Sequence, residues 1–129
     1  MKITTEYYDV QNFILNRIDK IYIGFNDNID VKLTNITEYD INLNNECSST
    51  IEFSNVFTNI ELANHFRSNS RIIYVRIEAF GIIADKNNYG KHTAVFYDIP
   101  CNMVISRLRI SRNSDDCSEM YVELEGLVK

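Results

Sequence analysis

Arg71–Ala84, RIIYVRIEAFGIIA, is the longest near-continuous apolar run in the chain. Read with a strand period, Ile73, Val75, Ile77, Ala79 and Ile83 share one face. Ile72, Tyr74, Phe80 and Ile82 share the other, with Arg76 and Glu78 among them. Apolar side chains on both faces mark an inner strand covered on both sides. A helix is disfavoured by the density of β-branched residues and by Gly81 inside the run. The run is also shorter than the ~20 residues a bilayer needs and carries two charges mid-length, which excludes a membrane span.

Working outward, DKNNYGK (Asp85–Lys91) reads as a turn and HTAVFYDI (His92–Ile99) as the returning strand, because Asn and Gly tolerate positive φ. The turn partly matches a calcium loop through Asp85, Asn87 and Gly90, but Phe96 stands where a bidentate Glu is needed. A solvated turn is the better reading. A register that sets Phe80 against Phe96 also sets Glu78 against Asp98. Two adjacent carboxylates raise one pKa, as in general acid/base pairs, with His92 and Tyr97 near in sequence. Like charges directly opposed also destabilise, so a shifted register with Arg76 compensating is the simpler expectation.

A second hairpin is expected from Met103–Ser111 and Glu119–Val128 across Arg112–Ser118. Pairing about Asp115 sets Leu108 against Val122, Ile110 against Met120, Arg107 against Glu123 and Arg109 against Tyr121. Arg107 and Arg109, two apart on one face, suggest a phosphate grip, but Glu123 and Glu125 nearby favour cross-strand ion pairs.

In the first half, Thr5–Lys20 reads as a helix. Thr5 suits a cap, Glu6 and Asp9 the positive end, and Arg17 and Lys20 the negative end. Tyr7, Val10, Phe13, Ile14 and Ile18 form its stripe. Short strands follow at Ile21–Phe25, Ile29–Ile36, Tyr39–Leu43 and Thr50–Ser54. In Val56–Ser70, Thr58 and Glu61 resemble a capping box, giving one or two helical turns that include His65. The expected architecture is therefore α+β: an N-terminal helix packed on a mainly antiparallel, meandering sheet of about seven or eight strands that tends to curl toward a barrel.

At 129 residues, 45% hydrophobic and 24% charged, the chain has the composition of one ordinary globular domain. Sixteen Asn and eighteen Ile against four Gly and one Pro suggest an AT-rich genome, as in low-GC bacteria and their phages, and leave turn chemistry to Asn. No signal-peptide pattern opens the sequence, and Cys47, Cys101 and Cys117 form no CxxC, so a cytoplasmic setting with reduced thiols is expected. The sequon Asn35-Ile36-Thr37 carries no weight there. No phosphate loop, dinucleotide fingerprint, zinc signature or nucleophile elbow is present, and no metal or cofactor is expected.

The net charge of −5 arises entirely in residues 1–70. Between Asp27 and Glu61 seven acids stand against Lys32 alone, which opposes direct nucleic-acid binding. The expected function is a non-enzymatic binding protein, such as a toxin-immunity protein or a phage-encoded inhibitor of a nucleic-acid enzyme. Asp27, Asp30, Glu38, Asp40, Glu46 and Glu52 would meet its basic protein partner. The alternative is a small enzyme or ligand-binding domain using Glu78, Asp98, His92 or Tyr97.

Overall fold

Alternating Val, Ile and Phe favour extended backbone, and extended backbone is what this chain builds. The computed structural model describes residues 2–5, 13–44, 46–57, 66, 70–83, 92–112 and 117–129, with the backbone alone described at 2–5, 13–14, 83 and 92–93. The described elements are all strands: β1 (Lys2–Thr5), β2 (Phe13–Phe25), β3 (Asp30–Thr34), β4 (Ile36–Asn42), β5 (Ser49–Phe57), β6 (Ile72–Ile83), β7 (His92–Arg112) and β8 (Ser118–Val128). They form one antiparallel sheet in the order β3-β2-β6-β7-β8-β5-β4, with β1 laid against β7. β2 also touches β4 and β3 touches β5, so the sheet curls into a half-barrel.

The expected α+β architecture is incorrect. Thr5 closes β1, residues 13–20 of the expected helix begin β2, and residues 6–12 lie outside the described residues. β2 carries a pair of bulges, between Leu15 and Arg17 and between Ile18 and Lys20, where it pairs with β6. Each bulge adds a residue and shifts the alternation. Leu15, Ile18 and Ile21 therefore all reach the core at intervals of three; of the expected stripe, Ile18 alone has a described side chain, and it is buried. Beyond the bulges the period of two returns, with Ile21, Ile23 and Phe25 buried.

β6 is the inner strand its sequence promises, paired to β2 on one side and β7 on the other. The expected strands His92–Ile99 and Met103–Ser111 are one 21-residue strand, β7. β7 pairs with β1 through Val95–Asp98 and with β8 through Cys101–Arg112. Pro100 falls where one neighbour ends and the other begins. Its carbonyl accepts from Lys129 N at 2.8 Å, so the donor that proline lacks would also have pointed at this junction.

The expected strand Ile29–Ile36 is broken at Asn35, whose φ of 55° turns β3 directly into β4. Asn28, with φ 68°, serves the β2–β3 turn, where Asp27 Oδ1 accepts from Ile29 N at 3.3 Å and Asp27 Oδ2 from Ser70 Oγ at 3.0 Å. At the β4–β5 turn Asn44 N donates to Ser49 Oγ at 2.7 Å, and Glu46 N to Asn44 Oδ1 at 2.9 Å. The Asp85–Lys91 turn, His65 and the expected helical turns within residues 58–65 lie outside the described residues.

The concave side holds one cluster of buried side chains, including Ile21, Ile23, Ile51, Phe53, Ile77, Ile99, Met120 and Val122. Phe66 packs edge-on against Phe25 with ring centroids 5.8 Å apart. Gly126 permits the closest approach of β8 to β7. A Cβ there would strike the Asn102 carbonyl oxygen and lie 2.7 Å from Met103 Cα, at a φ of 157°. Cys101 is wholly buried, and burial pushes its thiol up to about 11.

Three outcomes follow. Gly126→Ala should lower unfolding free energy by about 2 kcal/mol or more in urea titration, since the clash is with backbone. Asn35→Val should cost about 1–2 kcal/mol and Asn35→Gly much less, because only the β-branched residue resists positive φ. At pH 8 a maleimide should label exposed Cys47 within the mixing time and Cys101 only on unfolding, which mass spectrometry of the labelled chain reads directly.

Candidate functional site

Strand alternation on β8 sends Met120, Val122 and Leu124 into the core and Glu119, Tyr121, Glu123 and Glu125 outward. On β5, Ile51 and Phe53 point inward and Glu52 outward; on β4, Glu38 and Asp40 are exposed. Residues directly opposed in an antiparallel ladder project from the same face. Asp40 opposes Glu52, and Glu52 opposes Glu123, which in turn opposes Arg107. The neighbouring row runs Glu38, Ser54, Tyr121 and Arg109. Three carboxylates thus stand in register across three strands.

Glu123 is the best satisfied of them. Ser106 Oγ donates to its Oε1 at 2.8 Å, Tyr121 Oη to its Oε2 at 3.4 Å, and Arg107 Nε lies 3.9 Å from the same oxygen. Arg107 is largely exposed, so that ion pair contributes little. Asp40 accepts from Asn42 Nδ2 at 3.2 Å. Among the described residues no basic group lies within ion-pair distance of Glu38, Asp40 or Glu52. The Tyr121 phenol titrates above its ordinary range, through burial first and then the charges of Glu52 and Glu123. The Arg109 guanidinium sits 4.6 Å over the Tyr121 ring. Two shallow grooves of about 120 and 280 Å³ meet here and share Glu38, Ser54 and Tyr121. Carboxylates grouped in this way, with Arg109 over the Tyr121 ring and Arg107 beside Glu123 as the nearest cations, give the face a negative potential.

Of the residues expected to bind a partner, Glu38, Asp40 and Glu52 are brought together on this face. Asp27 belongs to the β2–β3 turn, Asp30 opens β3 and Glu46 belongs to the β4–β5 turn, so none of these joins the ladder. Glu119, Tyr121, Glu123 and Glu125 were not anticipated as members. Their signal was the strict alternation of β8, with acids at every second residue beside a tyrosine.

The shifted register with Arg76 compensating, the simpler of the two expectations for the central hairpin, is the one adopted, and the directly opposed Glu78/Asp98 pair is absent. The central hairpin pairs two residues out of the register that would oppose Glu78 to Asp98: Arg76 faces Asp98 and Glu78 faces Phe96. Glu78 lies 3.7 Å from Lys20 Nζ on β2. Asp98 Oδ1 accepts from Tyr74 Oη at 2.6 Å and lies 3.6 Å from Arg76 Nη1. The Arg76 guanidinium also covers the Phe96 ring at 4.6 Å. His92 opens β7 opposite Ile82, with only its backbone described. Tyr97 projects to the other face, where with Leu15, Ile41, Leu43, Ile77 and Ile99 it lines an apolar pocket of about 260 Å³. Its phenol is raised by burial and then by Tyr39. Tyr97 thus lies on the opposite face of the sheet from Glu78 and Asp98.

The expected cross-strand partners of Arg107 and Arg109 are as the sequence set them: Arg107 faces Glu123 and Arg109 faces Tyr121. Among the described residues no three His, Cys, Asp or Glu side chains assemble as a metal set, and no helix is long and apolar enough to cross a membrane. Comparison with known proteins gave no match to a family model, to a curated protein or to a solved structure.

Opposed carboxylates repel, so removing the middle one should relieve the row. Glu52→Gln should raise stability by about 0.2–1 kcal/mol, most visibly at low salt, whereas Lys20→Ala should lower it. Urea titration at two ionic strengths measures both. An unchanged or lowered stability for Glu52→Gln would show that the row is already neutralised.

Proposed function

We propose that this chain is a small protein-binding module that docks a basic surface of a partner protein through the outer face of β4, β5 and β8. An immunity protein for a toxin, or an inhibitor that covers the nucleic-acid-binding face of an enzyme, has this requirement. The observation that carries the reading is the in-register row Asp40–Glu52–Glu123. Such a row works against folding, and a cationic partner turns its repulsion into attraction. A nucleic-acid enzyme presents clustered Lys and Arg to phosphate, and a carboxylate row imitates that charge spacing. A cytoplasmic setting fits the three free thiols, of which Cys47 is exposed.

A second reading, binding of a small apolar molecule, rests on the 260 Å³ pocket at Tyr97. It does not use the Glu78 and Asp98 carboxylates, each of which already faces a cation.

The experiment is capture of partners from host or phage-infected cells at low and moderate salt. Association kinetics of the wild type and of Glu38→Gln/Asp40→Asn/Glu52→Gln then follow. The docking reading expects one basic partner and an association rate about tenfold lower in the triple variant, with a flatter salt dependence. An association rate and salt slope unchanged by the three substitutions would show that the acids are ordinary solvated surface.

A further inference from the structure

We propose that the outer face of β6, β7 and β8 around Asn102 binds a second copy of this chain, forming a two-fold symmetric dimer. Five large hydrophobic side chains are exposed among the described residues, and three of them, Ile73 (48%), Val104 (42%) and Leu127 (57%), lie together here. Leu127 is directly opposite Asn102, Val104 is two residues further along β7, and Ile73 lies on β6 between Ile72, which faces Met103, and Tyr74, which faces Pro100. Isolated exposed aliphatics are ordinary, whereas a contiguous group on a sheet face marks a contact surface.

Ile73 is placed outward by a specific device. The period of Val75, Ile77 and Ala79 would carry residue 73 into the core. Register shifts against both neighbouring strands, between Gly24 and Phe25 on one side and between Ile72 and Tyr74 on the other, interrupt that period. Ile72 is fully buried in its place and Ile73 is turned out. Bulges re-aim side chains, and this one directs an isoleucine to solvent beside two other aliphatics.

The charges around the patch select a copy of the same chain as occupant. Glu125 stands directly opposite Val104 on the β8 side. Arg71 stands on the β6 side, its Nη1 donating to Asn102 Oδ1 at 3.1 Å. Among the described residues neither is in an ion pair. Arg71 and Glu125 therefore flank Val104 on opposite sides, with Lys129 beyond Leu127 at the end of the strip. A two-fold axis lying along β7 through Val104 brings Arg71 of each copy over Glu125 of the other, while Val104 meets Val104. An isologous contact needs this self-complementarity, in which residue i meets j and j meets i.

Sedimentation velocity of the full chain over a concentration series tests the proposal. The wild type should show a monomer–dimer equilibrium. Leu127→Asp and Val104→Asp, at outward positions that leave the circular dichroism spectrum unchanged, should each weaken it by about tenfold or more. Arg71→Glu and Glu125→Arg should each weaken it, and the two together should restore it. A chain monomeric at every concentration overturns the proposal, as does a dimer indifferent to Leu127→Asp. A double charge reversal that restores nothing overturns the pairing. A monomer that floats with phosphatidylcholine vesicles, and loses this with Leu127→Asp, overturns it in favour of a lipid surface.

Discussion

Asn35 holds this fold together geometrically. It is the single residue between β3 and β4, and those strands are the two ends of the sheet's hydrogen-bonded path. With no loop to span a distance, the two ends must meet at that corner, so the sheet cannot be flat. The left-handed conformation at Asn35 supplies the corner, and Asn tolerates it better than other residues with a Cβ. Its carbonyl also accepts from Val56 N at 3.2 Å, which fixes the corner to β5. Once the ends are joined, the curled strands line the concave side, and Phe66 from outside the sheet packs into the same core against Phe25.

That constraint explains where sequence reading fails. β6, β7, β8 and much of β3 to β5 were legible, because unbroken alternation is a local property and survives translation into structure. β2 was not legible, because closing a curled sheet needs bulges, and bulges break alternation. Leu15, Ile18 and Ile21 reach the core three apart because of a long-range pairing with β6. No residue in that stretch announces the pairing; Arg17 and Lys20 even suit a helix C-terminus. Asn35 was hidden for the same reason. Inside an alternating run, a single Asn in the left-handed region looks like any polar outward residue of a strand.

The acidic face was half legible. Counting charge along the chain isolated Glu38, Asp40 and Glu52, which are neighbours through β4 and β5. Counting also made the second half of the chain look neutral, since Glu119, Glu123 and Glu125 are balanced in number by arginines on β7. Charge balance in sequence is not charge balance in space. The β5–β8 pairing sets Glu52 beside Glu123, and the arginines fall one strand further away. The central hairpin gives the converse lesson. The composition of β6 and β7 allowed two registers, and the one adopted places each carboxylate by a cation, Asp98 by Arg76 and Glu78 by Lys20.

The same electrostatic rule makes the outer face of β4, β5 and β8 an exception within its own protein. Where β2, β6 and β7 meet, the ladder sets opposite charges together. Where β4, β5 and β8 meet, it sets Asp40, Glu52 and Glu123 in a line with one loosely held arginine at its end. Both arrangements belong to one sheet built by one pairing geometry, so geometry cannot be the cause of the difference. Folding alone would be served better by a lysine or a neutral residue at position 52. Residues that break the local rule without benefit to the fold are expected where a surface has a task outside it. A task that rewards aligned negative charge is contact with aligned positive charge, which is why the row, rather than the overall acidity, carries the functional argument.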